Sequence, residues 1–269
     1  LNYCYFYPIK RPRNFKIYMK SIVNQYRRKI TQALTNSIGK KSLNKIIKEK
    51  NKALVLKRVL VNRPNQRLGN TLLITPLIQE IITNYPEVKI DLFVKGKIAP
   101  FVFQNYSQVD QIIELPKKPF KQLFLYFKTW FKIRKYKYDL VINTTSSSSS
   151  GKLATLFTSS KYKLYGNEFE CNEHIEEQIH YGKAPVYLFR KFLELFDINS
   201  QDTYPNLNLK LSESEKSNGK TLLNNLAIDP SKKTIAFFTY ATGDKCYSYN
   251  WWANFYAVFY PKYKEKYKK

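Results

Sequence analysis

An apolar run from Ala53 to Val61, interrupted only by Lys57 and Arg58, leads into Arg63-Pro64-Asn65-Gln66-Arg67-Leu68-Gly69-Asn70. The chain then continues as Thr71-Leu72-Leu73-Ile74-Thr75-Pro76-Leu77-Ile78. A buried strand, a glycine turn and an apolar helix form the unit from which open α/β sheets are built. The pattern predicts a strand over Leu54 to Val61, a sharp turn at Gly69 and a helix over Thr71 to Asn84. The free N–H groups of that helix face the crevice at the carboxyl edge of the sheet, and Asn70 sits at its mouth. The same pattern also serves as a plain βα turn with no ligand.

The alternation continues downstream. Strands are predicted over Lys89 to Val94, Gln111 to Leu115 and Asp139 to Asn143, the last fully apolar as in a parallel sheet. Helices are predicted near Ala99 to Asn105, over Leu123 to Tyr136 and over Ala184 to Phe196. A doubly wound parallel sheet follows from this order. Thr144 to Ser150 is a Thr/Ser run closed by Gly151 at the carboxyl end of a strand. Its hydroxyls and free N–H groups, Ser146 and Ser147 among them, suit a sugar or phosphate, while a bare serine run also serves as a flexible loop. Ser212 to Leu226 reads as one more helix, and Lys233 to Phe238 begins a second sheet. His174 and His180 stand beside five glutamates, but six residues apart they do not share a helix face as an i, i+4 metal pair does, so no metal site is predicted.

A net charge of +26 attracts polyanions, whether nucleic acid, an anionic leaflet or a phosphorylated glycolipid. Lysine dominates over arginine, which argues against a reader of nucleic acid, where bidentate contacts favour arginine. Three scattered cysteines, Cys4, Cys171 and Cys246, fit neither a disulfide framework nor a metal knuckle. No apolar run approaches the ~18 residues that cross a bilayer, and Leu1 to Lys20 does not read as a secretory signal. A cytoplasmic protein is expected, with Met19 as a natural start. From Lys20 to Glu49 apolar residues recur at helical spacing among many lysines, as in a basic helix lying on an anionic membrane or one packed on its own domain. Pro116 to Lys137 carries eight basic residues and no acid, interleaved with Phe120, Phe124, Tyr126, Phe127, Trp130 and Phe131. Such a stretch suits lipid headgroups or a core helix with a basic outer face.

The run R-P-N-Q-R-L-G-N-T-L-L-I-T-P-L-I-Q-E-I, followed by Asn84-Tyr85-Pro86 and by Lys89-Ile90-Asp91-Leu92-Phe93-Val94, resembles glycosyltransferase family 9. These are the ADP-heptose:lipopolysaccharide heptosyltransferases and their relatives. The resemblance extends from about Ala53 to Trp252, and is dense again from Tyr240 to Trp252. It implies an α/β protein with two Rossmann-like domains of the GT-B type, the first complete with a parallel sheet and the second only begun. The domains then divide as a basic, partly helical extension over 1–52, an acceptor domain over 53–205, a connector with a helix over 206–232, and the start of a C-terminally truncated donor domain over 233–269.

The resemblance implies inverting, metal-independent transfer of a heptose or related sugar from an ADP-heptose-like donor to a lipopolysaccharide-type acceptor at the inner face of the cytoplasmic membrane, with no cofactor and no nucleic-acid partner. Asn70 stands where the family carries its aspartate base. Lys245 matches the lysine on the donor phosphates, with Thr242 and Gly243 in the same loop. Arg63, Arg67, Gly69, Thr71, Ser146 and Ser147 are the candidate acceptor contacts. An amide cannot take a proton at neutral pH, so the identity of the base stays open. The truncated chain is expected to be inactive. The rival reading is a non-catalytic remnant that binds a glycan or membrane.

Overall fold

Segments whose inward residues are almost all Val, Ile, Leu or Phe bury both faces, and such segments pair as a parallel sheet covered on both sides. The computed structural model describes residues 25–26, 29–39, 42–50, 52–116, 122–169, 180–226, 233–240, 246–264 and 267–268. The chain divides into two compact units, Leu1–Lys210 and Leu211–Lys269.

In the first unit, β1 (Arg58–Arg63), β2 (Lys89–Lys95), β3 (Val109–Leu115), β4 (Tyr138–Asn143) and β5 (Ser160–Leu164) form one sheet in the order β3-β2-β1-β4-β5. Every pairing is parallel, with β1 at the centre between β2 and β4. All five carboxyl ends therefore open on one edge. Val59, Val61, Ile90, Leu92, Leu140 and Ile142 point to one face, and Leu60, Phe93, Ile113 and Val141 to the other.

The first face is covered by α3 (Thr75–Asn84), α4 (Ala99–Phe103) and α7 (Ala184–Glu194). In α3, Leu77, Ile78 and Ile81 are fully buried at i, i+1 and i+4, and each such side chain contributes about 1.5–3 kcal/mol. Pro76 occupies its first turn, where a missing N–H costs nothing. α7 is tied to α3 by a buried ion pair: Arg190 Nε and Nη2 donate to Glu80 at 2.7 and 2.9 Å, and the guanidinium lies 4.6 Å from the Tyr204 ring centre. The second face is covered by α5 (Leu123–Lys135) and α6 (Ser149–Phe157), through Ile133, Ala154 and the edge-on contact of Trp130 with Phe93.

Several sequence expectations are corrected. The first strand starts at Arg58 rather than Leu54 and runs on through Asn62 and Arg63. The predicted helix from Thr71 is two pieces, α2 (Leu68–Leu72) and α3, divided at Leu73-Ile74. Gly69 is no turn residue: it lies inside α2, is absent from the residues of positive φ, and a Cβ there would meet nothing within 4 Å. Much of the serine run is structured, because Ser148 caps α6 by accepting the Gly151 N–H at 3.1 Å. The segment from Lys20 to Glu49 is not one helix. A helical stretch over 29–35 ends in a turn, and α1 (Ser42–Ile47) follows, with Ile46 buried while Ile30 and Leu34 stay exposed.

At the amino edge, Arg58 Nε and Nη2 grip buried Asp91 at 3.0 and 2.8 Å, and Nη2 also reaches Asp110. Tyr138 Oη donates to Asp91 at 2.8 Å, and Asp139 accepts the N–H groups of Lys57 and Arg58 at 2.7 and 2.9 Å. Residues 206–208 belong to the first unit. Gln79 Nε2 donates to the Asn206 carbonyl, Tyr106 Oη donates to that of Asn208, and Thr75 Oγ1 accepts the Asn208 N–H, at 2.8, 2.7 and 3.2 Å.

The second unit holds α8 (Glu213–Leu226), β6 (Lys233–Thr234), α9 (Tyr249–Tyr263) and β7 (Tyr267–Lys268). α8 starts on a reciprocal cap, Ser212 and Glu215 each accepting the other's N–H, at 3.2 and 2.7 Å. Neither α8 nor α9 has a buried residue. β6 is two residues long, far shorter than the strand predicted over Lys233 to Phe238, and pairs in parallel with β7. Around it, Phe237 stacks edge-on against Trp252, Phe255 and Phe259.

Candidate functional site

The connections from β1 and β4 leave towards opposite ends of the sheet, since β1 is followed outward by β2 and β3 and β4 by β5. The crevice outside the carboxyl ends of two such strands is where open α/β sheets bind ligands. Here it is a cavity of about 560 Å³, walled by Asn62, Arg63, Lys95, Asn143, Thr145 and Ser147 among others, with two cations and no acid among its described lining residues.

The polar groups at the floor come from the last residues of β1 and β4. Asn62 and Asn143 are both fully buried. Asn62 Nδ2 donates to Thr155 Oγ1 at 2.9 Å, and Asn143 Nδ2 donates to the carbonyls of Thr145 and Tyr165 at 2.8 and 2.7 Å. The Oδ1 atoms of both have no hydrogen-bond partner among the described residues. Thr144 closes the gap between the strands, its N–H and hydroxyl both donating to the Asn62 carbonyl at 3.2 and 3.1 Å. Gly151 is needed where it stands: a Cβ there would lie 2.0 Å from Asn143 Oδ1. Gly166, at φ +98°, likewise lets the chain after β5 pass the Ser146 backbone, whose nitrogen would be 2.9 Å from a Cβ.

Arg63 rises from this floor. Its Nη1 donates to Thr145 Oγ1 and reaches the Thr144 carbonyl and hydroxyl at 3.5 Å, and its Nη2 reaches Asn70 Oδ1 at 3.4 Å. Its Nε is buried with no partner. Burial pushes the Arg63 guanidinium below the ordinary arginine value, and among the described residues no carboxylate pairs with it. A buried donor left unsatisfied costs roughly 1–3 kcal/mol. A cation held this way is poised for an anion with hydrogen-bonding oxygens.

The remaining predicted residues divide. Asn70 is half-buried and meets Arg63 directly. Ser147 lines the cavity; Ser146 and Ser147 also line a second one of about 550 Å³ with Thr35, Ser149, Lys152 and Asn167. Arg67 and Gly69 are exposed beyond the lining of either cavity. Thr71 is buried and spends its hydroxyl on the Arg67 carbonyl at 3.2 Å, so it does not open the helix end that the sequence placed there. Thr242, Gly243 and Lys245 lie outside the described residues, as does His174. His180 Nδ1 accepts the Gly182 N–H at 3.2 Å.

Lys152 is the residue that sequence reasoning passed over. It lies in the first turns of α6, is 6% exposed, and lines the second cavity beside three serines. The signal was present: Gly151-Lys152 follows a strand and a hydroxyl-rich loop and opens a helix, a placement that suits an anion.

No protein-family model matches the chain, and no curated protein matches it significantly. Solved structures do. A glycosyl transferase family 9 structure from Veillonella parvula is similar with a TM-score of 0.54 at 16% identity, over 78% of this chain and 62% of that one. The E. coli heptosyltransferase WaaC with ADP is similar with a TM-score of 0.52 at 17% identity, over 76% and 65%. The fold is thus the α/β fold of GT-B glycosyltransferases, and the chain spans less than two thirds of the length of either structure.

Proposed function

We propose that the protein is a glycosyltransferase that moves a heptose or related sugar from a nucleotide-sugar donor to an anionic glycolipid acceptor, with inversion. The observation that carries this reading is Arg63: a half-buried guanidinium with a buried, unpaired Nε and no carboxylate among the described residues, at the carboxyl edge of the sheet, with Asn70 at 3.4 Å. Such a cation orients an anionic acceptor group. The hydroxyls of Thr145 and Ser147 extend the same polar wall, and Lys152 lines the second cavity that Ser147 shares.

In this scheme the acceptor hydroxyl attacks the anomeric carbon as the C–O bond to the nucleoside diphosphate breaks, and its proton goes to a base. Positive charge, assigned to Lys245, takes up the charge of the departing diphosphate. No metal is called for. Asn70 orients the nucleophile by its amide rather than removing the proton. A carboxylate in its place would both accept the proton and pair with Arg63.

A second reading, a non-catalytic glycan-binding protein, is favoured by that same amide. Release of ADP from ADP-heptose, dependent on a lipopolysaccharide-type acceptor, separates the two. In a protein that continues this chain through a whole donor domain, turnover raised by roughly 10²–10⁴ in Asn70→Asp is the result expected of a transferase. Saturable binding of the acceptor with no turnover in either form would establish the second reading instead.

A further inference from the structure

We infer that the outward face of α5 is a docking surface for an anionic lipid bilayer. α5 is amphipathic in an unusual sense. Its inward stripe, Tyr126, Trp130 and Ile133, packs on the sheet, yet its outward stripe is aromatic too. Phe124, Phe127 and Phe131 follow the i, i+3, i+7 spacing of one helix face and are 83%, 57% and 65% exposed. Three phenylalanines held in water on one stripe leave a contiguous apolar area that burial against a partner would favour.

The charges around them indicate what covers the stripe. Lys128, Lys132 and Lys135 lie on the same side and are exposed, and no acid occurs anywhere from Pro116 to Lys137. Phenylalanine enters the boundary between headgroups and acyl chains, while lysine reaches back to lipid phosphates on its flexible stem. A second copy of the chain would bring like charges together on the same face, in a protein already at +26. A single-stranded nucleic acid calls for a groove that tracks its backbone, and an outward helix face offers none.

The patch continues onto α6 through Leu156, 52% exposed, and through Arg134, whose guanidinium lies 5.2 Å from the Phe157 ring centre. Tyr126 of α5 and Leu153 of α6 also line the 560 Å³ cavity. A bilayer on this face would therefore lie beside the mouth of the crevice. No helix of the described residues is long and apolar enough to cross a membrane. The inference does not depend on the transferase reading, because lipid binding is measured without turnover.

Co-sedimentation of the whole chain with vesicles tests it. Phosphatidylcholine vesicles with and without phosphatidylglycerol serve as probes at low and at physiological salt. The native chain should sediment with the anionic vesicles and far less with neutral ones. The triple variant Phe124→Ser, Phe127→Ser, Phe131→Ser should lose about tenfold or more in apparent affinity. Phe101→Ser, equally exposed on α4, should change nothing. Lys128→Glu, Lys132→Glu, Lys135→Glu should abolish the preference for phosphatidylglycerol, and this second variant decides the matter if the first does not fold. Vesicle binding equal to native in both triple variants would overturn the inference. So would a native dimer that the phenylalanine variant converts to monomer, or native affinity for single-stranded DNA that it removes while vesicle binding persists.

Discussion

Two arginines stand at the two ends of the same strand, Arg58 opening β1 and Arg63 closing it. Arg58 is fully engaged: two carboxylates, a tyrosine hydroxyl shared through Asp91, and the Tyr136 ring 4.4 Å away. Arg63 donates to the Thr145 hydroxyl and makes longer contacts to Thr144 and the Asn70 amide, and among the described residues it has no carboxylate and an orphaned Nε. Beside it, two buried asparagines each leave an oxygen unpaired. A protein satisfies the polar groups that it buries for structure. The orphaned atoms of Asn62, Asn143 and Arg63 lie together at the carboxyl edge, as the ligand-binding reading expects, while the carboxylates at the amino edge are paired.

The comparison can be broken first at Arg58. Arg58→Met leaves the Asp91 charge buried and should cost about 3–5 kcal/mol in urea unfolding. Burial already holds the Asp91 carboxyl above its usual range, against the hydrogen bonds from Tyr138 and Arg58. The proton-bound folded form is thereby favoured. Stability from this group is full below the unfolded value of about 3.9 and is lost as pH rises through the raised value. Removing Arg58 raises it further, so the deficit of the variant should be largest at neutral pH and shrink as pH falls towards about 4. A pH-independent deficit would detach Asp91 from the argument.

Gly151→Ala comes next. Its Cβ would strike Asn143 Oδ1, and Asn143 cannot swing away without breaking its two Nδ2 bonds. A loss of about 1–3 kcal/mol is expected in the same assay. A neutral effect would mean that the floor of the crevice is pliable. The smallest effect belongs to Arg63→Met. It gives up the hydrogen bond to the Thr145 hydroxyl and longer contacts to Thr144 and Asn70, but it also removes an orphan donor, so stability should change by about 1 kcal/mol or less. Added phosphate should raise the thermal stability of the native chain but not that of the variant. A large loss of stability from this substitution would place Arg63 with Arg58 among the structural residues.

Much of the first unit was legible. β2, β3 and β4 follow from apolar runs bounded by polar residues, and α7 from its helical period. The errors share a cause. The run from Ala53 reads as strand because Leu54 and Leu56 are apolar, yet Val55 between them is exposed and pairing begins only at Arg58. α6 and β5 passed unnoticed because hydroxyls and lysines fill them, and Ser148 works as a cap that only tertiary structure makes visible. At the crevice, the sequence pointed to the carboxyl edge of the sheet and to Arg63 and Asn70, which the structure brings within 3.4 Å of each other. Which asparagine oxygens are orphaned, and that Lys152 is buried, depends on strands brought together from distant parts of the chain.

That distance has a kinetic consequence. Arg63 and Thr144, which meet across the crevice, are 81 residues apart in sequence. β1 and β2 are joined by a single helical crossover and can pair early, whereas β1 and β4 must wait until everything between them has been ordered or looped out. The crevice therefore rests on the pairing of longest sequence separation in the sheet. A chain halted before β4 has already paired β1 with β2 but leaves the other edge of β1 open, with Asn62 exposed and Arg63 still free in water. During synthesis, that open edge is the surface most in need of protection from other strands.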